Sequence, residues 1–298
     1  MREIPYVQTS VFVDDRLSFG GNQLATYWDI DANVSLSQEE MQGMTLEMNF
    51  SESTFLERPT TEGCSARVRI FTPALEIPFA GHPTLGTAFV MKYKGLIEQH
   101  QKTSLLQLDV GPIPVEIIDE RTIQMTQPEP SFEESADKIS DIAEAIGLTS
   151  EDIDSDYPAE VVSTGSPYLI VPIKGLTSLK RAHPPFGNKL SDLSIHEIMI
   201  FSTETEFSDS HVHARMFAPD AGVAEDPATG SAAGPLGAYL EKHQILEDHK
   251  IGDPIRIEQG FEINRPSQLV ARVPNEKISE VLVSGKVRLV AEGFFHLP

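Results

Sequence analysis

The run "RIFTP" (Arg69 to Pro73) recurs as "RMFAP" (Arg215 to Pro219), and this repetition constrains the fold more than any other feature of the chain. Each copy reads as a strand closed by proline. After each comes a short loop, then a small-residue turn in which an ionisable group precedes a proline, then a helical pattern: "EIPFAGHPTLGTAFVM" in one case and "GVAEDPATGSAAGPLGAYL" in the other. The same order of elements twice in one chain predicts two similar halves. On this alignment His82 and Asp226 occupy matching places.

The rest of the pattern is dominated by strands. Short apolar, β-branched runs recur, among them "YVQTSVFV", "TFLE", "SLLQLDV", "TIQMT", "YLIVPI", "IMIFST", "PIRIEQ" and "VLVSGKVRLV". Helical patterns are fewer. "SLSQEEMQGMTLEMNF" carries a capping-box spacing from Ser37 to Glu40, and "SADKISDIAEAIGLT" stops at Gly147. Prolines and acids interrupt the strand pattern from Thr126 to Ser135. The predicted organisation is therefore two pseudo-symmetric α/β (α+β) domains, 1–127 with a returning segment of about 285–298, and 128–284. Each is a mostly antiparallel sheet wrapped around a central helix, and the two helix N-termini face one another across a cleft.

Composition excludes several functions. The 298 residues hold 23 Lys and Arg against 45 Asp and Glu, a formal net charge of −22 that repels phosphate backbones and anionic membranes. Neither a nucleic acid nor a membrane is an expected partner. No apolar stretch reaches the length of a membrane span, and "MREIPYVQTSVFVDD" lacks a signal core, so the reading is cytoplasmic. Cys64 is the single cysteine, which rules out an internal disulfide and agrees with a reducing compartment.

Two helix N-termini meeting at glycine-rich turns offer unpaired N–H groups and positive dipole ends to an anion, most simply a substrate carboxylate. Gly81 and Gly230 let backbone approach such a ligand, and Ser231 adds a hydroxyl. His82, between Gly81 and Pro83, admits three readings: a metal ligand, a structural helix cap, or an acid/base group. Glu52, in "NFSESTFLE", stands where a helix hands over to a strand; it is either a solvated loop glutamate or a carboxyl aimed into the cleft. Asn22, after Gly20 and Gly21, either positions substrate or forms a tight turn between strands.

Four motifs in order, "VFVDDRLSFGGNQLATY", "SESTFL", "RIFTPALEIPFAGHPTLG" and "FAPDAGVAEDPATGSAAG", resemble the phenazine-biosynthesis PhzF-like family, which shares the diaminopimelate epimerase fold. The resemblance covers nearly the whole chain. It implies an isomerase without metal or organic cofactor that moves a proton within a small amino or hydroxy carboxylic acid. Glu52 would be the principal acid/base, with His82 and Asp226 as its polar partners; Gly81, Gly230, Ser231 and Asn22 would bind substrate, and the family habit implies a homodimer. Epimerase relatives use a cysteine at each helix turn, whereas Cys64 lies outside both turns here, so two-cysteine racemisation is excluded.

Other chemistries fit less well. "HVH" puts His211 and His213 on one side of a strand, but with no third ligand in view they read as surface or interface histidines, and no metal is expected. "DPATGSAAG" lacks the glycine spacing of a dinucleotide site and the P-loop lysine, and "GSAAG" is not a hydrolase elbow, so Ser231 is a binder and not a nucleophile. The rival from another class is a non-catalytic metabolite-binding or scaffold protein with the same fold.

Overall fold

The segments Gly81–Tyr93 and Gly230–Lys242 are helices that are apolar or small on every face, and a helix of that kind is stable only when surrounded. The computed structural model describes residues 2–28, 36–136, 138–185 and 196–297, and in it sheets wrap both helices. In chain order the first half holds β1 (Arg2–Val11), β2 (Asn22–Tyr27), α1 (Gln38–Met48), β3 (Glu52–Glu57), β4 (Ala66–Phe71), β5 (Glu76–Ile77), α2 (Gly81–Tyr93), β6 (Thr103–Leu108), β7 (Gly111–Ile117) and β8 (Thr122–Gln127). The second holds β9 (Ser131–Ser135), α3 (Ile139–Ala145), β10 (Glu160–Ser163), β11 (Pro167–Pro172), α4 (Gly175–Arg181), β12 (Ile198–Ser202), β13 (Val212–Ala218), β14 (Val223–Asp226), α5 (Gly230–Lys242), β15 (Ile255–Gln259), β16 (Ser267–Arg272) and β17 (Val281–Leu297).

Strand pairing repeats in kind and direction. The antiparallel pair β1–β2, parallel β2–β3, antiparallel β3–β4 and β4–β5, parallel β4–β6, and antiparallel β6–β7 and β7–β8 are matched step for step. Their counterparts are β10–β11, β11–β12, β12–β13, β13–β14, β13–β15, β15–β16 and β16–β17. β17 closes the first ring, pairing with β8 over Val281 to Lys286 and with β1 over Val287 to Leu297, and its start also pairs with β16.

Small residues make the threading of α2 and α5 possible. A Cβ on Gly86 would come within 2.5 Å of Leu24 Cδ2, and one on Gly237 within 2.8 Å of Ala271 Cβ. On the outer faces, Met41 and Met44 of α1 cover Ala25, Tyr27 and Phe55, while Ile142 of α3 and Leu179 of α4 cover Leu169, Val171 and Ile200.

The helix signals read from sequence appear where expected: α1 carries both bonds of the Ser37–Glu40 box, and Gly147 takes a φ of 76° just past α3. The Thr126–Ser135 segment is less interrupted than its prolines imply, since it contains the end of β8 and all of β9. Two short strands, β5 and β14, and the helix α4 lie outside the sequence expectations. His213 corrects the surface reading of the histidine pair. It is fully buried, its ring between Glu258 (3.0 Å) and Glu262 (3.2 Å). His211 is half-buried, its Nδ1 accepting from the Arg256 N–H.

Candidate active site

The N-termini of α2 and α5 touch. A Cβ on Gly81 would lie 2.3 Å from the Gly230 carbonyl carbon and 2.4 Å from the Ser231 nitrogen, so no side chain fits between them. In place of a cleft separating two turns, the helix ends abut and the open space lies beside them. Neither N-cap residue, Ala80 or Thr229, makes a side-chain cap bond, in contrast to Ser37 on α1. Two sets of orphan N–H groups and two positive dipole ends therefore converge, the arrangement that favours an anion.

Around this junction the polar side chains form one buried network. Asn22 Nδ2 lies 3.0 Å from His82 Nδ1, 2.8 Å from Asp226 Oδ1 and 3.0 Å from the Ala228 carbonyl, while Ser51 Oγ donates to Asn22 Oδ1 at 2.6 Å. Because the Asn22 amide nitrogen can only donate, His82 Nδ1 accepts, and the neutral ring carries its proton on Nε2. That nitrogen faces Glu52 Oε2 at 3.4 Å. Both atoms are buried and neither has a hydrogen-bond partner. Orphaned polar atoms in a folded interior cost stability and mark a place where something else is to be bound.

The local fold explains how each group is held. Gly20 and Gly21, at φ of 148° and 78°, bend the chain into β2, and Arg265 donates to both of their carbonyls at 3.0 and 2.7 Å, which fixes the entry of Asn22. Asn22 is thus both the end of a tight turn and the hub of the network. Thr229 Oγ1 donates to Asp226 Oδ2 at 2.6 Å, and Gln259 Nε2 donates to the Asp226 carbonyl at 2.8 Å. Glu52 is the first residue of β3, immediately after the α1 turn.

Electrostatics separate the roles. Burial raises Glu52 well above the usual carboxylate range, and the neighbouring carboxyls Asp226 and Glu197 push in the same direction. Burial also raises Asp226, against its bonds from Thr229 and Asn22. His82 goes the other way: burial pushes it down to about 3, against a backbone contact with Gln23. It is neutral at physiological pH, so its contact with Glu52 is not an ion pair.

A cavity of about 280 Å³ opens beside the helix ends. Glu52, Asp226 and Ser231 line it, whereas His82 and Asn22 sit behind them and Gly81 and Gly230 serve the helix contact. Phe79, Pro167, Met216 and Val223 supply apolar walls. Sequence reasoning missed Tyr168, whose hydroxyl lies 2.7 Å from Ser231 Oγ, along with Ser51, Thr229, Gln259 and Glu197. Most of these are polar residues inside or beside apolar strands, and that placement is the signal that could have found them. Among the described residues, no group of three His, Cys, Asp or Glu is placed to hold a metal ion.

The pairing register corrects one sequence alignment. Arg69 donates bidentately to Glu76 on β5, and Arg215 does the same to Glu225 on β14. Ile70 pairs with Ile77 and Met216 with Asp226, so the counterpart of Asp226 is Ile77. The abutting glycines make Ser231 the counterpart of His82. His82 and Asp226 share a site but not a place in the repeat.

The family model described as phenazine biosynthesis-like protein (PhzC-PhzF) matches residues 10–293. The chain belongs to the PhzF family. A Pseudomonas aeruginosa relative named trans-2,3-dihydro-3-hydroxyanthranilate isomerase is 38% identical, over 98% of this chain and 99% of its own length. A crystal structure of a Bacillus anthracis PhzF-family protein superposes at a TM-score of 0.86, with 28% identity and complete coverage of both chains. A hydroxyproline epimerase from Agrobacterium vitis shares the fold at a TM-score of 0.68 and 11% identity, covering 98% of this chain and 92% of its own. Like its PhzF-family relatives, the protein is an isomerase with an epimerase-like fold.

Proposed function

We propose that Glu52 carries a proton between two carbons of a small cyclic amino or hydroxy carboxylic acid, such as the trans-2,3-dihydro-3-hydroxyanthranilate named for the P. aeruginosa relative. The observation that carries this reading is the facing pair of buried, partnerless atoms, Glu52 Oε2 and His82 Nε2. The substrate carboxylate sits at the α2–α5 junction, held by backbone N–H groups around Gly81 and Gly230 and by the Ser231 hydroxyl. Glu52 removes a proton from a ring carbon; the C–H electron pair moves into the π system conjugated with the carboxylate, and the Glu52 carboxyl, whose proton exchanges with solvent, delivers a proton to another carbon. Atoms balance within one molecule, so the step calls for no oxidant, metal or organic cofactor. Neutral His82 donates from Nε2 to steady Glu52 or the charge that develops, and Asp226, tied through Asn22, keeps His82 in the required tautomer.

The raised carboxyl suits this work, because a group that must take a proton and give it back does both best when its pKa lies near the working pH. The test is exchange in heavy water: the protein incorporates deuterium from solvent into the substrate and its isomer, and Glu52→Gln lowers the rate by about 10²- to 10⁴-fold. Exchange undiminished in that variant overturns the role given to Glu52, and a rate unaffected by a chelator supports the cofactor-free step.

The domain division at 127/128, with the segment from about 285 returning to the first domain, is part of the same proposal, supported by the matched pairings and the two embedded helices. So are a homodimer, a cytoplasmic site of action and the absence of nucleic-acid or membrane partners. The charge of −22 supports the last of these, as does the lack, among described residues, of any helix long and apolar enough to cross a membrane. Sedimentation velocity giving a monomer removes the dimer.

A further inference from the structure

Glu197 has no role in the chemistry above, yet its place in the repeat is distinctive. Phe55 pairs with Arg69 and Ile200 with Arg215, and three residues before each of these stand Glu52 and Glu197. The two glutamates are equivalents in the two halves, and both line the one cavity. Glu197 Oε2 is buried without a hydrogen-bond partner, while Tyr168, which contacts Ser231, hydrogen-bonds the same carboxyl.

The charge inventory of the cavity is one-sided. Three carboxyls line it, Glu52, Asp226 and Glu197, with no Lys or Arg lining it among the described residues. The one ring that could carry positive charge, His196, is exposed and is held 3.0 Å from Asp220. The positive potential of the helix ends acts on the Ser231 side, where a ligand carboxylate belongs. Burial, and to a smaller degree the negative charge of Asp226, raise Glu197 against the hydrogen bond from Tyr168, so a cation beside its carboxylate would be favoured.

We propose that Glu197, oriented by Tyr168, binds the protonated amino group of the substrate, making the enzyme selective for cyclic acids that carry an ammonium beside the carboxylate over those that carry a hydroxyl there. This rests on the isomerase reading for the position of the carboxylate and adds the second anchor. A zwitterion then spans the cavity, its carboxylate at the helix ends and its ammonium at Glu197, with the ring against Phe79, Pro167 and Met216. Two-point attachment also determines which ring carbon is presented to Glu52.

Binding measured without turnover tests the proposal separately from the chemistry. Calorimetric titration compares trans-2-aminocyclohexanecarboxylate with trans-2-hydroxycyclohexanecarboxylate, which differ only in the group meant for Glu197. The wild-type protein is expected to bind the amino acid about tenfold or more tightly, as charge-assisted hydrogen bonds imply. Glu197→Gln removes that preference and leaves the hydroxy acid within about twofold of its wild-type affinity. Tyr168→Phe, which keeps the ring and loses only the hydroxyl, narrows the preference to a smaller degree and serves if the first variant fails to fold. Equal wild-type affinities, no binding of either acid, or a preference that survives Glu197→Gln overturns the proposal. So does loss of deuterium exchange in Glu197→Gln with the preference intact, since Glu197 is then a second proton carrier. Loss of the preference alongside undiminished exchange in Glu52→Gln upholds the anchor and removes only the role of Glu52.

Discussion

The two halves share a scaffold and differ in the side chains they bring to the cavity. Each has the same sequence of strand pairings, a buried central helix starting at glycine, and an arginine clamped by a glutamate on the short strand that precedes the helix. At equivalent places they carry different side chains: His82 opposite Ser231, Ile77 opposite Asp226, and Glu52 opposite Glu197. The repeated parts bring two helix ends to one point, and on the proposed reading the parts that differ allocate proton transfer to one side and ligand anchoring to the other. Duplication supplies position, and substitution within the duplicate supplies role.

The largest expected break in this comparison is between the two glutamates. Glu52→Gln lowers deuterium exchange by about 10²- to 10⁴-fold, whereas Glu197→Gln acts on ligand preference; equal losses of exchange in both would erase the division of labour. Next come the two clamps. Arg215 and Glu225 are each 5% exposed, against 14% and 17% for Arg69 and Glu76. Arg215 also donates to the carbonyls of Leu179 and Ala182. Arg215→Met is therefore expected to destabilise the fold by about 3–5 kcal/mol, and Arg69→Met by about 1–2 kcal/mol, in urea unfolding. At the junction, Gly81→Ala forces the helix ends apart and costs about 2 kcal/mol, with loss of carboxylate binding in the same titrations.

The last comparison is a pH asymmetry, small near neutrality and growing toward either extreme. His82, held at about 3 against an ordinary 6.5, binds its proton more weakly folded than unfolded, so it removes stability as pH falls from 6.5 toward 3. Glu52, held above its ordinary 4.5, has the opposite sign: its contribution is complete below 4.5 and is lost as pH rises through the elevated folded value. His82→Asn should flatten the acid side of a Tm-against-pH profile, and Glu52→Gln should raise Tm most on the alkaline side. Ser231, which does not titrate, should leave both limbs unchanged when replaced by Ala.

How much of this was legible in the sequence follows from the same residues. "RIFTP" and "RMFAP" mark the duplication, and in each copy the arginine is clamped by a glutamate on the short strand that follows. The turn-by-turn match failed because the second loop is three residues longer: Gly81 follows Arg69 by 12 and Gly230 follows Arg215 by 15. The Pro219–Ala221 turn, closed by Gly222 at φ 80°, lies in that longer loop. An alignment on His82-Pro83 and Asp226-Pro227 slides over that insertion. The role of Glu52, with His82 and Asp226 as partners, comes from the family resemblance; Ser51, Thr229, Gln259, Tyr168 and Glu197 stay hidden because a polar residue in or beside an apolar strand reads as core or loop until the facing half is in place.

The closure of the first ring by β17 has a consequence for biosynthesis. Arg2 pairs with Leu297 and Val11 with Val287, so one edge of β1 is covered only by the distant β17, while its other edge pairs with the neighbouring β2 from Tyr6 to Val11. Until β17 is in place β1 presents one unpaired edge and α2 lacks one wall of its enclosure. A partly folded chain without β17 is thus exposed to edge-to-edge association, and docking of that one long strand both completes the sheet and seals the helix inside it.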